Sequence, residues 1–278
     1  MQMSFEQLAG KLLFNSLKYD RAKKTGEPLK LVAVSIAITG RCNSRCIHCR
    51  IWELSQKNPA AIKHEMTKEE ICVYLSDQWF SDLVEIDLTG GEPYLRDDIE
   101  DIVAGIMALR KSKLTKLRTI IIPTNGLLTE KILSRMKVIL SLLKGTGVDF
   151  VSVSSLDGLG RAHDLMRGTK GAFEKADKTI EGILKLREEY PDGFWPGIKT
   201  TITHYNVHEL HSLLNYAVAR SMFYIISPVI ITKKRFRNEK FKDKFQLSIE
   251  DLKKIAEFYT NRKHEFDFYY QKVKYLLP

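Results

Sequence analysis

Six short segments rich in β-branched and aromatic residues recur along the chain. They are residues 31–39, 84–88, 119–122, 150–154, 198–202 and 223–231. The first segment is uncharged and rich in Val and Ile, which is typical of a parallel strand buried on both faces. Between the segments, apolar residues return every three or four positions, the period of amphipathic helices. The pattern therefore predicts repeated strand–helix units and a parallel sheet.

The helical stretches carry start signals as well as apolar faces. Thr67 and Glu70 form a capping box at the start of a helix predicted over residues 68–79, and Asn206 with Glu209 is predicted to cap a later helix. Three of the inner faces are predicted to consist of Ile99, Ile102, Val103, Ile106 and Leu109, then Ile132, Met136, Ile139, Leu140 and Leu143, and later Leu210, Leu213, Leu214 and Ala217.

Six strand–helix units are fewer than the eight of a closed barrel. We therefore expect an α/β fold, a partial (βα)6 TIM-like barrel with an N-terminal helix and a short C-terminal helical extension. The expected domains are a helical appendage at residues 1–30, the barrel at 31–232 and a basic extension at 233–278. That extension is either complete or the start of a further domain. In such folds the active site lies at the carboxyl ends of the strands.

Composition narrows the class of protein. Of the 278 residues, 44% are hydrophobic and 28% are charged, as is typical of folded globular proteins. No apolar run reaches the roughly 18 residues that a membrane-spanning helix needs, and the N-terminus lacks the pattern of a secretory signal. The net charge of +10 permits an anionic partner without requiring one.

The clustering of the cysteines indicates a metal centre. Cys42, Cys46 and Cys49 follow the first predicted strand with the spacing C-x3-C-x2-C. Such a cluster excludes a disulfide scaffold and favours a reducing compartment, which we expect to be the cytoplasm. A structural zinc site would need a fourth ligand, but His48 lies between two of the thiols and Cys72 lies within a predicted helix. Three thiolates suit an iron–sulfur cluster that keeps one iron open to a small molecule.

The segment 40–49, GRCNSRCIHC, resembles the signature of the radical S-adenosylmethionine (SAM) enzymes. The resemblance implies that Cys42, Cys46 and Cys49 hold a 4Fe–4S cluster whose fourth iron chelates the amino and carboxylate groups of SAM. It also implies that one electron from the cluster cleaves SAM to methionine and a 5′-deoxyadenosyl radical, which takes hydrogen from the substrate. His48 stands where the family usually has an aromatic residue beside the adenine, and its ring can still stack.

Further motifs follow in the order that the resemblance implies. Residues 89–93, TGGEP, leave the second predicted strand and resemble the family's Gly-Gly-Glu-Pro motif, which meets the amino group of SAM. Gly90 and Gly91 allow a ligand to approach the backbone closely, and Glu92 can accept hydrogen bonds from an ammonium group. An ordinary strand-to-helix turn is the alternative. Residues 124–126, TNG, follow the third strand, although Asn-Gly is also a common turn.

The later strands supply looser candidates for SAM contacts. Ser154, at the end of the fourth strand, matches the ribose-contacting position, and Asp157 is a weaker candidate for the same role. Arg167 suits a bidentate pair with the methionyl carboxylate. A structural role for Arg167, paired with Asp164 or with a helix end, is the alternative. Val229 is the candidate for an apolar wall beside adenine, and a plain barrel strand without ligand contacts is the alternative.

These motifs are most similar to the cofactor- and peptide-maturase (SPASM/twitch-like) branch, although no cysteine follows Cys72 to hold auxiliary clusters. We expect an oxidoreductase or maturase-like enzyme with a peptide or small biosynthetic substrate and a flavodoxin or ferredoxin as electron donor. A glycyl-radical-type activase is an alternative. Another is an iron–sulfur or zinc module that docks nucleic acid, because aromatic residues interleave with the cations of residues 233–244. That segment has seven basic and two acidic residues, a net charge of +5, and a solvated surface is its plainer interpretation.

Overall fold

One six-stranded sheet organises the chain. The computed structural model describes residues 5–57, 60 and 64–273, with the side chains of 5–9, 11–12 and 263–273 not included. The strands are β1 Ala33–Thr39, β2 Glu85–Gly90, β3 Thr119–Thr124, β4 Asp149–Ser155, β5 Phe194–Ile202 and β6 Phe223–Pro228. They lie side by side in chain order, and every neighbouring pair is parallel. The predicted α/β class and its six units are confirmed.

Helices connect the strands and flank the sheet. They are α1 Phe5–Thr25, α2 Trp52–Lys57, α3 Lys68–Leu75, α4 Ile99–Arg110, α5 Thr129–Leu143, α6 Arg161–Arg167, α7 Ala172–Glu189, α8 Leu210–Ala219 and α9 Ile249–Val273. The sheet has β1 and β6 at its two edges, so it forms the partial barrel that the pattern predicts. The short helices α2 and α6 were not predicted, and both belong to the surroundings of the cysteine loop.

Of the two predicted helix caps, one is present in the structure and the other is not. The capping box of Thr67 and Glu70 is present at the start of α3. The pair Asn206 and Glu209 was wrong as a cap. The Asn206 side chain instead bonds the backbone around β5, and Glu209 accepts a hydrogen bond from the N–H of Leu159 at 2.9 Å. Two polar side chains near a helix start therefore serve the loops beside it rather than the helix.

The core lies between the sheet and the helices. A larger cluster joins β1–β4 to α3, α4, α5 and α7, and a second cluster joins β5 and β6 to α8 and α9. The inner faces predicted for α4, α5 and α8 are buried, except that Leu109 is only partly buried. Burial of these stripes stabilises the strand–helix units at about 25 cal/mol per Å² of apolar surface.

Two strand boundaries differ from the prediction by three or more residues. β5 begins at Phe194, four residues before the predicted segment, because residues 194–197 pair with residues 150–153 of β4. Gly197 also lets the ring of Phe223 on β6 lie directly against its backbone. Residues 193–197, GFWPG, contain one proline and two glycines, which in a sequence indicate a turn. Tertiary packing overrides that signal here. β6 ends at Pro228, three residues earlier than predicted, because the chain then turns towards the cysteine loop.

The end segments differ in how they are held. In α1, Leu13, Phe14 and Leu17 are each at least 60% exposed, so these apolar side chains are not covered by the rest of the described chain. In α9, Phe258 is buried and its ring contacts His211 on α8. Residues 1–4 and 274–278 of the predicted end segments lie outside the described residues. Within the described part, none of the helices has the length and apolar character to cross a membrane.

Candidate active site

A cavity of about 960 Å³ runs along one face of the sheet to the loops at the carboxyl ends of the strands. Most of the predicted site residues line it: Cys42, Cys46, His48, Cys49, Gly90, Gly91, Glu92, Arg167 and Val229. Ser154 and Asp157 are buried outside this lining. The parallel sheet thus gathers residues from distant parts of the sequence, as expected for loops that leave the same edge.

Hydrogen-bond donors surround the sulfur atoms of the cysteine loop. The Ser44 hydroxyl lies 3.1 Å from Cys46 Sγ, and the Arg167 guanidinium donates to the same sulfur at 3.4 Å. The Asn125 amide donates to Cys42 Sγ at 3.9 Å. Donors directed at sulfur favour the thiolate, the form in which cysteine binds iron.

Burial disfavours the charged form of two of the thiols. Burial, together with the neighbouring Cys46, raises the pKa of Cys42 to about 12 and that of Cys49 to about 11. A cationic centre reverses this balance, because metal binding displaces the protons. Three soft sulfur ligands on one cavity, with donors for their charged form, fit an iron–sulfur cluster.

In the described part of the chain, no group of three or more His, Cys, Asp or Glu side chains, the three cysteines included, is arranged as a ready-made site for a single metal ion. Cys72, the fourth cysteine, lies on α3 with its sulfur against Gly105 of α4, and it does not line the cavity.

Helix α6 holds the cysteine loop in place. The backbone N–H groups of Arg45 and Ile47 donate to the carbonyls of Arg167 and Met166 at 3.1 and 3.0 Å. Gly168, which follows α6, has a φ of +58°, and a Cβ there would collide with the Arg45 carbonyl oxygen. Residues 166–168, which include the predicted ligand contact Arg167, therefore also support the loop.

Arg167 pairs with Asp157 rather than with Asp164. Its Nη2 lies 2.9 Å from Asp157 Oδ2, and both side chains are buried. Burial alone would raise the pKa of Asp157. The Arg167 guanidinium, the imidazoles of His48 and His163 and the Thr201 N–H together outweigh burial and hold that pKa below its ordinary value. Asp164 instead accepts hydrogen bonds from two backbone N–H groups around the start of α7. The ion pair fixes the guanidinium beside the sulfur of Cys46.

The two glycines at the end of β2, Gly90 and Gly91, allow the cysteine loop to approach. Gly90 has a φ of +132°, and a Cβ on it would collide with the Thr39 carbonyl oxygen. A Cβ on Gly91 would collide with the carbonyl oxygen of Arg41. The Gly91 N–H donates to the Thr39 carbonyl at 2.8 Å, and the Glu92 N–H donates to that of Arg41 at 2.7 Å. The glycines therefore serve contact between two backbones, and both also line the cavity.

Glu92 is a buried carboxyl group surrounded by donors. Its oxygens accept hydrogen bonds from the Asn125 N–H at 2.7 Å, the Thr124 hydroxyl at 3.0 Å and the Tyr94 N–H at 3.4 Å. Burial nevertheless raises its pKa to about 7. A cationic group that enters the cavity beside Glu92 would favour the carboxylate. The TNG segment thus orients Glu92 and contributes a donor to Cys42, roles that its turn-like sequence does not indicate.

The serines at the end of β4 point to opposite faces of the sheet. Ser155 lines the cavity, whereas Ser154 is buried on the other face, where its hydroxyl has no hydrogen-bond partner among the described residues. Successive side chains of a strand alternate between faces, so a shift of one residue changes which serine meets a ligand.

The segment after β6 closes over the cysteine loop. The buried Asn238 side chain donates to the His48 carbonyl at 2.8 Å, and the Arg50 N–H donates to the carbonyl of Phe236 at 2.9 Å. Burial lowers the pKa of His48 to about 4, so its imidazole is neutral at pH 7. Sequence reasoning missed Asn238, which lies inside the basic segment and 190 residues from its partner.

Comparisons with known proteins agree with this geometry. Residues 36–217 match the sequence profile of the family described as the Radical SAM superfamily. Fe-coproporphyrin III synthase of Methanosarcina barkeri is 30% identical over 178 residues, which cover 64% of this chain and 39% of that protein. A probable GTP 3′,8-cyclase of Methanosarcina acetivorans is 31% identical over 158 residues, which cover 56% of this chain and 42% of that protein. The chain spans about two fifths of the length of these curated relatives.

A solved structure shares the fold. Native anSMEcpe with bound AdoMet and the Cp18Cys peptide superposes with a TM-score of 0.57 at 19% identity, over 88% of this chain and 61% of that one. The matched profile runs from β1 into α8 and includes the three cysteines, the Gly-Gly-Glu-Pro segment and Arg167. It covers well over half of the sequence, and the chain belongs to the radical SAM superfamily.

Proposed function

We propose that this chain is the catalytic core of a radical SAM enzyme that cleaves SAM reductively and takes hydrogen from a peptide or small biosynthetic substrate. The observation that carries the proposal is the convergence of three thiols, Glu92 and Gly91 on one cavity. The family uses a 4Fe–4S cluster and SAM, and the donor set at this cavity fits both. When bound, they supply a 5′-deoxyadenosyl radical.

The residues have distinct parts in this proposal. Cys42, Cys46 and Cys49 hold the cluster, and the Arg167 guanidinium stabilises the charge on Cys46. Glu92 accepts hydrogen bonds from the amino group of SAM. Burial disfavours the Glu92 carboxylate and raises its pKa, so a cationic partner would stabilise the charged form.

The remaining SAM contacts follow from the lining of the cavity. The neutral ring of His48 and the side chain of Val229 are proposed to flank the adenine. For the ribose we propose Ser155 in place of Ser154, because Ser155 is the serine that faces the cavity. Asp157 acts on the site through Arg167, since its carboxylate is buried in that ion pair.

The substrate is either a peptide or a small molecule. The names of the two curated relatives refer to Fe-coproporphyrin III and to GTP, and the solved neighbour holds a peptide. The cavity of about 960 Å³ accommodates SAM and a substrate group beside it. A glycyl-radical-type activase would use the same cavity for a glycine of another protein, so the choice depends on the substrate found.

We propose a flavodoxin or ferredoxin as the electron donor and the cytoplasm as the location, because an iron–sulfur cluster of this kind needs a reducing setting. The nucleic-acid alternative has less support. Part of the basic segment is occupied by contacts to the cysteine loop, where Phe236 and Asn238 meet it.

The test is an anaerobic assay of SAM cleavage. The protein is reconstituted with iron and sulfide, reduced with dithionite and supplied with SAM, and 5′-deoxyadenosine is measured. We expect 5′-deoxyadenosine from the wild type and from Cys72→Ala, which changes a cysteine outside the cavity. We expect none from Cys46→Ala. A wild type that binds zinc in place of a cluster, or equal product from Cys46→Ala, would contradict the proposal.

A further inference from the structure

The cavity wall has a gradient of charge along the strands. Glu85 and Asp149 are the first residues of β2 and β4, and both line the amino-terminal end of the cavity, with Asp87 two residues further along β2. Lys199 is the sixth of the nine residues of β5 and lines the same cavity. Because the strands are parallel, the carboxyl groups lie at the floor and the ammonium group lies nearer the thiols.

A second cation reaches the cavity from the segment after β6. Arg235 lines it beside Phe236, whose backbone is bonded to the cysteine loop. Burial raises the pKa of Asp87, and both Lys199 and Arg235 oppose that rise. The two cations therefore line the same cavity, between the acidic floor and the thiols.

Lys199 has no counter-charge in contact with it. No hydrogen bond or ion pair joins its ammonium group to any of the residues that the structure describes, and its neighbours across the sheet are Ser155 and Ile225. Asp87 accepts a hydrogen bond from Ser35 at 2.9 Å instead of pairing with the lysine. Its other oxygen is buried without a hydrogen-bond partner. A cation in a concave, partly apolar cavity attracts an anion more strongly than the same cation on an open surface.

We propose that the substrate carries a carboxylate or phosphate group that pairs with Lys199 and Arg235. The inference rests on the proposed function, since it assigns the substrate a place in the same cavity as SAM. The acidic floor sets the orientation, because Glu85 and Asp87 repel a second anion and accept hydrogen bonds from an amine or hydroxyl at the far end of the substrate. The substrate is therefore anionic at the end nearest the cluster.

The test measures anion binding to the cluster-loaded protein in the presence of saturating SAM. Inorganic phosphate and acetate are titrated separately by calorimetry into the wild type, Lys199→Gln, Arg235→Gln and the control Lys234→Gln. Lys234 is an exposed cation, as Lys199 and Arg235 are, but it does not line the cavity. We expect the wild type and the control to bind one of the two anions equally. Each of the other variants should bind it about tenfold more weakly, the loss of one charge-assisted hydrogen bond. The anion that binds identifies a phosphate or a carboxylate.

Three results would overturn the inference: no binding of either anion by the wild type, an equal loss in Lys234→Gln, or weaker SAM binding by Lys199→Gln, which would assign the lysine to SAM. Formation of 5′-deoxyadenosine by the same wild-type preparation reports on the proposed function separately. Product without anion binding rejects only the substrate subsite, whereas absence of product rejects the proposed function.

Discussion

Replacing Asp157 with Asn isolates the contribution of one buried ion pair to the stability of the site. The substitution keeps the size of the side chain and the oxygen that accepts a hydrogen bond from the Thr201 N–H at 2.8 Å. It removes the charge that lies 2.9 Å from the guanidinium of Arg167. Since Arg167 is only 6% exposed, water cannot replace the lost partner. The variant therefore holds a buried cation with no counter-charge.

The size of the effect follows from burial. An exposed ion pair contributes at most about 1 kcal/mol, whereas removal of one partner of a buried pair costs about 3–5 kcal/mol. Asp157 is fully buried, so the cost of about 3–5 kcal/mol applies to Asp157→Asn and to Arg167→Met. The double variant leaves no unpaired charge. It should lose about 2 kcal/mol less than the sum of the two single variants.

The assay is urea unfolding of the cluster-free protein at pH 7, followed by circular dichroism. The control is Asp97→Asn, because Asp97 also pairs with basic side chains but is 81% exposed, and we expect no measurable change there. A loss for Asp157→Asn as small as that of the control would refute the reasoning. So would a double variant whose loss equals the sum of the single losses.

The ion pair of Asp157 and Arg167 also makes the free energy of unfolding depend on pH in the acidic range. The pKa of Asp157 in the folded protein lies below its ordinary value of 3.8. Its stabilising contribution is therefore present above about pH 4 and is lost as the pH falls through the folded-state pKa. The free energy of unfolding should decline less steeply with acid in Asp157→Asn than in the wild type.

Three further predictions concern other parts of the site. Gly91→Ala should lower the iron bound per chain severalfold after reconstitution, since its Cβ meets the backbone of the cysteine loop; Gly10→Ala, with open space around it, should not. The pKa of Glu92 is raised from 4.5 to about 7 in the folded protein. Its protonated form therefore contributes to the free energy of unfolding in full below pH 4.5, and this contribution is lost as the pH rises through 7. Urea unfolding of the cluster-free protein from pH 4.5 to 8 should show a decline of up to about 3 kcal/mol, and a flat profile would contradict it. Asn238→Ala should cost about 1–3 kcal/mol and speed tryptic cleavage within residues 233–244, whereas the exposed Gln246→Ala should leave the digestion rate unchanged.

Local sequence patterns predicted the parts of the fold that local forces determine. The period of apolar residues predicted the strands and the inner faces of α4, α5 and α8, because burial of a stripe requires that period. Short motifs predicted the cysteine loop and the segment of Gly90, Gly91 and Glu92, because their chemistry is carried by neighbouring residues. Parallel topology then implied that these loops meet at one edge of the sheet.

The errors have a different physical origin. The Asn206 and Glu209 pair has the spacing of a cap, but both side chains bond to backbone groups of other loops. Arg167 could be placed near a helix end from sequence, yet its partner Asp157 and its contact with Cys46 depend on how α6 docks. Ser154 and Ser155 are neighbours, and only the pleat of β4 decides which one faces the cavity.

The supports of the cysteine loop also imply an order of assembly. The Arg167 side chain meets a sulfur of the loop across 121 positions of sequence, and Asn238 meets the loop's backbone across 190. During synthesis the loop emerges early, but its two supports emerge only after most of the barrel has been made. Contacts of such long sequence separation form late, because the intervening chain must first be ordered. Cluster insertion is therefore expected to follow the folding of the chain through residue 238.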